Sequence, residues 1–231
     1  MITAALLAAG LAACGAAEQA PAAGAAEPRP AAEAARATPG EPPRRVLVVG
    51  TSLTAGLGLD DPALAYPGLL QRKVDAAGLP YTVVNAGVSG ETSAGARSRI
   101  DWLMSEPVSV LVLETGANDG LRGIQAGTLA ENLQAIIDRA REQQPPPAIV
   151  LLGMRTLTNY GAEYGERFAA VYRDVAEANR VPLVPFLLEG VGGVAELNQA
   201  DGVHPTPEGQ RVMAATVWEV LEPVLRERAA P

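Results

Sequence analysis

Five short runs of apolar residues recur along the chain, and each is nearly continuous in aliphatic side chains. A strand that is covered on both faces has this composition, because neither of its faces meets water. The predicted strands are Val46–Val49, Tyr81–Val84, Val108–Leu113, Ala148–Leu152 and Leu183–Phe186.

Longer segments with the apolar spacing of helices lie between and after these strands. The predicted helices are Pro67–Ala77, Ser93–Met104, Thr128–Gln143, Tyr164–Asn179 and Pro207–Arg228. The last helix has the clearest start, since Thr206 suits the N-cap and Pro207 suits the first helical position. Because strands and helices alternate, the chain is predicted to form a parallel, doubly wound sheet of the α/β class.

The residues before the first predicted strand have a different character. Ile2–Ala13 is apolar but shorter than the roughly 20 residues that span a membrane, which is typical of a signal peptide. It ends in Leu11-Ala-Ala-Cys14-Gly15, which resembles the bacterial lipobox, whose cysteine becomes lipidated. An ordinary secretory signal with a chance cysteine is the alternative. We expect a signal peptide over residues 1–14 and a lipoprotein in the bacterial periplasm, anchored to the membrane through Cys14.

Residues 15–43 are rich in Ala, Pro, Glu and Gly, with almost no large apolar side chain. Such a segment cannot bury enough apolar area to offset the entropy lost on ordering. We therefore expect a disordered linker over residues 15–43 and one folded domain over residues 44–231.

The charge balance limits the possible partners. The chain of 231 residues has a formal net charge of −8, from 18 Lys and Arg against 26 Asp and Glu. This argues against nucleic acid or an anionic membrane surface as a partner, because binding phosphates requires a basic groove. One histidine and one cysteine cannot form a His/Cys zinc site. We expect a small-molecule substrate and no metal or cofactor.

Polar residues follow several of the predicted strands. Ser52 follows the first strand, residues 85–90 follow the second and residues 116–120 follow the third, whereas Asp201 and His204 come after the fifth. The carboxyl ends of parallel strands lie at one edge of a sheet, which is where ligands bind in this architecture. Their common placement favours a functional site.

These residue types fit acyl transfer by a serine nucleophile. A serine hydroxyl needs a neighbouring base, and His204, the only histidine of the chain, can supply it. Asp201 precedes it by three positions and can orient the imidazole. The backbone N–H groups of Ser52 and Gly90 and the side-chain amide of Asn118 are candidates for stabilising the oxyanion.

Each residue taken singly also has a structural interpretation. Ser52 can be a helix N-cap, Asn118 an Asx-turn residue, Asp201 a residue that closes a turn and His204 a surface histidine. Asn85 is interpreted as structural, with a side chain that ties two loops together.

Four sequence blocks resemble the SGNH hydrolases, also called GDSL esterases and lipases. The blocks are Gly50-Thr51-Ser52-Leu53, Gly90, Gly116-Ala117-Asn118-Asp119 and Asp201-Gly-Val-His204, and the match runs from the first predicted strand to the last predicted helix. The flanking residues are similar to the bacterial periplasmic branch, which is described as thioesterase, arylesterase and lysophospholipase in one. The resemblance implies a flavodoxin-like three-layer α/β/α sandwich with a five-stranded parallel sheet.

The same resemblance implies site residues: a nucleophile at Ser52, the Asp201/His204 pair, and oxyanion donors at Ser52, Gly90 and Asn118. In the substrate region it suggests Met154 and Leu157 as binding residues, although the sequence there lacks the Leu-Pro of close relatives. Thr51 also departs from the pattern, since the family has aspartate beside the serine.

Two other functions remain as alternatives. A sugar O-acetyl esterase uses the same fold and the same residues. A non-catalytic, flavodoxin-like nucleotide-binding module would bind phosphate with residues 51–54 at a helix N-terminus, but it leaves Asn118, Asp201 and His204 unexplained. An α/β-hydrolase elbow is not expected, because Thr54 occupies the position of its second glycine.

Overall fold

A single sheet of five parallel strands organises the protein, whose computed structural model describes residues 44–156 and 160–230. The strand order is β2-β1-β3-β4-β5. The strands are β1 (Arg44–Gly50), β2 (Tyr81–Gly87), β3 (Val110–Glu114), β4 (Ala148–Leu152) and β5 (Leu183–Val184). This confirms the predicted α/β class and the five-stranded parallel sheet. The expected signal peptide, Cys14 and the linker lie outside the described residues.

Seven α-helices connect and cover the strands within the described residues. They are α1 (Ser52–Ala55), α2 (Tyr66–Ala76), α3 (Ser93–Leu103), α4 (Ala117–Leu121), α5 (Ala126–Arg141), α6 (Ala162–Asn179) and α7 (Pro207–Ala229). On one face α2 packs against α7, and on the other α5 packs against both α3 and α6. The result is the expected three-layer sandwich. None of the helices in the described part of the chain is long and apolar enough to cross a membrane.

The central strands are buried on both faces, as their composition predicts. Every residue of β3 is buried, and Val46–Val49 of β1 are fully excluded from solvent. The predicted cap of α7 is also confirmed, because the Thr206 hydroxyl accepts a hydrogen bond from the Gly209 N–H. The sheet and its two helical layers thus form a rigid base for the loops at the carboxyl edge.

Some predicted boundaries were wrong. β2 continues to Gly87, so Asn85 lies within the strand rather than after it. β5 ends at Val184 because Pro185 has no N–H to donate to a neighbouring strand. The short helix α4 was not predicted.

Candidate active site

Ser52 lies at the first helical position of α1, immediately after β1. The turn between strand and helix is tight, and Gly50 permits it: a Cβ atom there would lie 1.9 Å from the Thr54 Oγ1 atom. Thr51 is the N-cap residue, so the interpretation of Ser52 as the cap is wrong. The serine side chain is therefore free to face the carboxyl edge of the sheet.

His204 and Asp201 reach this serine from the loop before α7. The His204 Nε2 atom lies 3.0 Å from the Ser52 Oγ atom, and the His204 Nδ1 atom lies 2.7 Å from the Asp201 Oδ2 atom. With a proton on Nδ1, Nε2 is left as an acceptor for the serine proton, a tautomer that follows from the hydrogen bonds. His204 can therefore take the proton of the Ser52 hydroxyl group, while Asp201 orients the imidazole ring.

Asp201 also closes the turn that carries the histidine. Its Oδ1 atom accepts hydrogen bonds from the N–H groups of His204 at 3.0 Å and Val203 at 2.9 Å. These two backbone donors and the imidazole hold the pKa of Asp201 well below its usual range, with the His204 N–H as the largest cause. The structural and the functional interpretations of Asp201 are therefore compatible. Its Oδ1 atom closes the turn, and its Oδ2 atom contacts the imidazole of His204.

Gln199 fixes the histidine loop against the segment that follows α1. Its backbone N–H donates to the His204 carbonyl oxygen at 2.7 Å, and its side-chain amide donates to Leu57 at 2.8 Å and to Pro205 at 3.0 Å. Sequence reasoning missed this residue. A glutamine in a loop gives no local signal, because its partners are brought together only by the fold.

Gly90 and Asn118 lie beside the serine, in the loop after β2 and in α4 respectively. Gly90 has φ +79°, a conformation that other residues rarely adopt. The Asn118 side-chain amide donates one hydrogen bond to the Glu91 carbonyl oxygen at 2.9 Å, which leaves its second N–H for a ligand. The structure thus brings Ser52, Gly90, Asn118 and His204 to one cavity, with Asp201 hydrogen-bonded to His204.

Two polar side chains connect the loops of the site. Asn85 donates to the Thr54 carbonyl oxygen at 2.8 Å and accepts from the Gly87 N–H at 2.9 Å. Its role is structural as predicted, but its side chain joins β2 to α1 rather than two loops. The buried Asp119 accepts hydrogen bonds from the backbone N–H and the hydroxyl group of Ser93. Asp119 therefore joins the Asn118 segment to the first turn of α3.

An open cavity of about 420 Å³ begins at these residues. Its large apolar side chains are Leu53, Leu57, Leu121, Met154, Phe186, Leu188 and Val203. Met154 lies in the wall as predicted, whereas Leu157 lies outside the described residues. Arg155 stacks on the Phe186 ring, 4.5 Å from its centroid. Over residues 44–156 and 160–230, no group of three or more His, Cys, Asp or Glu side chains could hold a metal ion.

The parallel sheet and the hydrogen-bonded serine, histidine and aspartate at its carboxyl edge define the class of protein: a serine-dependent hydrolase with a flavodoxin-like three-layer fold. Residues 48–212 match the model of the GDSL-like Lipase/Acylhydrolase family, and the chain belongs to this family. It is a carboxylic ester hydrolase with the SGNH-hydrolase fold.

Two curated relatives are similar over most of their length. "Esterase TesA" of Pseudomonas aeruginosa is 44% identical over 181 residues, which is 78% of this chain and 89% of the relative. "Thioesterase 1/protease 1/lysophospholipase L1" of Escherichia coli is 36% identical over 182 residues, which is 78% of this chain and 84% of the relative. The activities in these names, esterase and thioesterase, are consistent with the serine-dependent hydrolase that the site describes.

Solved structures give the same result for the fold. The crystal structure of TesA has a TM-score of 0.74 and 42% identity, covering 78% of this chain and 99% of that one. The structure of AlinE4, an SGNH-hydrolase family esterase, has a TM-score of 0.65 and 35% identity, covering 78% of this chain and 96% of that one.

Proposed function

We propose that the protein hydrolyses esters and thioesters through an acyl-enzyme on Ser52. The observation that carries this proposal is the hydrogen-bonded series from Ser52 to His204 to Asp201, with distances of 3.0 Å and 2.7 Å, at the mouth of an apolar cavity. In this series the serine has a base and the base has an orienting carboxylate, which is what a serine nucleophile requires.

The reaction proceeds in two halves. The Ser52 Oγ atom attacks the substrate carbonyl carbon while His204 Nε2 takes its proton, and the protonated imidazole then donates that proton to the departing alkoxide or thiolate. A water molecule attacks the resulting acyl-serine, again losing its proton to Nε2. The second tetrahedral intermediate expels Ser52, which regains the proton, and the carboxylic acid leaves.

Negative charge develops on the carbonyl oxygen in both halves. The backbone N–H groups of Ser52 and Gly90 and the free amide hydrogen of Asn118 are proposed to stabilise it. All three donors are uncharged groups held by the backbone or by a further hydrogen bond. They need little reorganisation as the charge appears.

The size and lining of the cavity favour an acyl chain of the substrate as the group that it binds. Its wall is predominantly apolar, and its volume of about 420 Å³ is far more than an acetyl group fills. We therefore propose substrates with an extended acyl chain, such as acyl thioesters, aryl esters and lysophospholipids. A sugar O-acetyl esterase is less consistent with this wall, because a sugar ring needs polar partners.

The proposed location is the bacterial periplasm, with a lipid anchor at Cys14. The support is the apolar Ile2–Ala13 stretch followed by a lipobox-like cysteine. Growing expressing cells with an isotope-labelled fatty acid tests this proposal. Label in the wild-type protein but not in Cys14→Ala supports the anchor, and no label in either protein indicates an ordinary signal peptide.

The catalytic proposal is tested with p-nitrophenyl esters of increasing acyl length at about pH 7.5, using Ser52→Ala as the control. We expect hydrolysis that Ser52→Ala abolishes, and a preferred chain longer than acetyl. Activity in Ser52→Ala equal to that of wild type would overturn the assignment of Ser52 as the nucleophile. A preference for acetyl over all longer esters would instead favour the O-acetyl esterase.

A further inference from the structure

Glu114, the last residue of β3, is a buried carboxyl group that the proposed mechanism does not use. Its exposed fraction is 0%, although it lies directly beneath the nucleophile loop. Burying an ionisable group costs free energy unless hydrogen bonds compensate it. Its partners therefore indicate what the residue does.

Within the described residues, the hydrogen-bond donors to this carboxyl group belong to Thr51, which precedes Ser52, and to Thr54, two positions after it. The Thr51 N–H donates to Oε2 at 2.7 Å, and the Thr51 hydroxyl lies 3.0 Å from Oε1. The Thr54 hydroxyl donates to Oε2 at 2.8 Å and is itself 2.7 Å from the Tyr66 hydroxyl. One carboxyl group thus contacts the chain before and after Ser52.

The helix that carries the serine needs such support. α1 has only four residues, which is too short for a helix to be stable by itself. Its N-cap residue, Thr51, makes no capping hydrogen bond with its side chain. The Thr51 hydroxyl donates to Glu114 instead. Thr51 is the residue that replaces the aspartate of the family pattern.

The space around the carboxyl group is filled. A Cβ atom on Gly50 would lie 2.5 Å from the Glu114 Oε2 atom, so the strand preceding the serine is packed directly against the carboxyl group. At the other end of α1, the Asn85 amide fixes the Thr54 carbonyl oxygen. The backbone on both sides of Ser52 is therefore held by contacts that include those of Glu114.

We propose that Glu114 is a positioning residue, which holds the Ser52 hydroxyl and backbone N–H in the geometry for acyl transfer through its hydrogen bonds to Thr51 and Thr54. This proposal rests on the role proposed for Ser52. It assigns the buried carboxyl group an effect on the rate of the chemical step as well as on stability. A misplacement of about 1 Å in a catalytic group can reduce the rate on the order of 100-fold.

The test uses the full-length chain in mild detergent with p-nitrophenyl butyrate as substrate. Wild type is compared with Glu114→Gln, which keeps the shape of the side chain but replaces one acceptor oxygen by a donor. Thr51→Val keeps the backbone N–H and removes the hydroxyl, whereas Thr51→Ser restores it. kcat, KM and Tm are measured for each protein.

Tyr81→Phe is the matched control. The Tyr81 hydroxyl is buried and donates to the Leu225 carbonyl oxygen at 3.0 Å, but it lies at the start of β2, at the opposite edge of the sheet. This variant loses a buried hydrogen bond far from Ser52. It separates a general loss of stability from a loss of positioning.

We expect kcat of Glu114→Gln to fall about 10- to 100-fold with KM changed less than about threefold, because only the geometry of the reacting groups is altered. Thr51→Val should show a smaller fall that Thr51→Ser reverses, while Tyr81→Phe loses stability and keeps kcat. Wild-type kcat in a folded Glu114→Gln would overturn the proposal. Should that variant not fold, wild-type kcat in Thr51→Val would overturn it equally.

Ser52→Ala in the same series separates this proposal from the function on which it rests. If Ser52→Ala remains active, the nucleophile itself is wrong and the positioning role falls with it. If Ser52→Ala is inactive and Glu114→Gln keeps wild-type kcat, only the positioning role is wrong.

Discussion

The Nε2 atom of His204 lies 3.0 Å from the Oγ atom of Ser52, although 152 positions of sequence separate the two residues. The topology explains this distance. β1, which leads into Ser52, is an inner strand of the sheet, and the loop before α7 returns to the same edge after the last strand has been added. The contact is therefore a product of the whole sheet and not of any local motif.

Removing the base should nearly abolish hydrolysis. We expect His204→Ala to lower kcat on the order of 10³-fold or more, because only the oxyanion donors remain. Asp201→Asn should cost less, since the imidazole stays and the asparagine oxygen can still accept the backbone N–H groups of Val203 and His204. Steady-state kinetics on an aryl ester measure both, and wild-type activity in Asp201→Asn would contradict the orienting role.

Loss of the Asn118 amide should affect the transition state more than the bound substrate. We expect Asn118→Ala to lower kcat about 100-fold with little change in KM, because its free N–H is proposed to bind the oxyanion. The measurement is a full substrate titration against wild type. An increase in KM at constant kcat would show that Asn118 binds the ground state and is not an oxyanion donor.

The buried carboxyl of Glu114 should make stability depend on pH. Burial raises the pKa of Glu114 above its ordinary value of 4.5, although hydrogen bonds from Thr51 and Thr54 partly oppose this. The folded state therefore binds the proton more tightly than the unfolded state, and stability falls as pH rises from 4.5 through the folded pKa.

Glu114→Gln cannot ionise, so wild type should lose stability relative to this variant as pH rises over that interval. Urea unfolding of both proteins between about pH 4 and pH 8 measures the difference in the free energy of unfolding. A difference that is constant, or that grows in favour of wild type with rising pH, would contradict the direction of the shift.

One buried hydroxyl group should be dispensable. Thr115 is fully buried after β3, and its Oγ1 atom has no hydrogen-bond partner among the described residues. Thr115→Val replaces the hydroxyl by a methyl group of similar size. We expect a gain of about 1 kcal/mol and a Tm higher by roughly 2–4 °C. A lower Tm would indicate that the hydroxyl is hydrogen-bonded to a buried water.

The sheet was predictable because its strands are unambiguous. Continuous aliphatic runs such as Ala148–Leu152 mark the strands directly, and the observed bounds of β4 are the predicted ones. Helix α4 was missed because Asn118-Asp-Gly120 is typical of a turn. Its conformation depends on Gly116 at φ +110° and on the contact of Asp119 with Ser93, neither of which is visible locally.

The residues that are proposed to react could be singled out from the sequence, but their supports could not. Ser52, Asp201 and His204 belong to short motifs whose chemistry can be inferred from residue type and order. Glu114 contacts Thr51, 63 positions away, and Gln199 joins its own loop to Leu57, 142 positions away, so only the fold reveals their roles. A charged residue at the end of a fully apolar strand, as in Val110–Glu114, was the one available signal.

The order of the site along the chain has a consequence for biosynthesis. A nascent chain that ends before Asp201 already contains the five strands of the described sheet, the proposed nucleophile and the three proposed oxyanion donors, yet it has no imidazole. If His204 is the base, such a chain cannot activate Ser52, and we expect hydrolysis only after the loop before α7 has been synthesised and has packed beside the serine. Hydrolytic activity would therefore report that this late loop has reached its position beside Ser52.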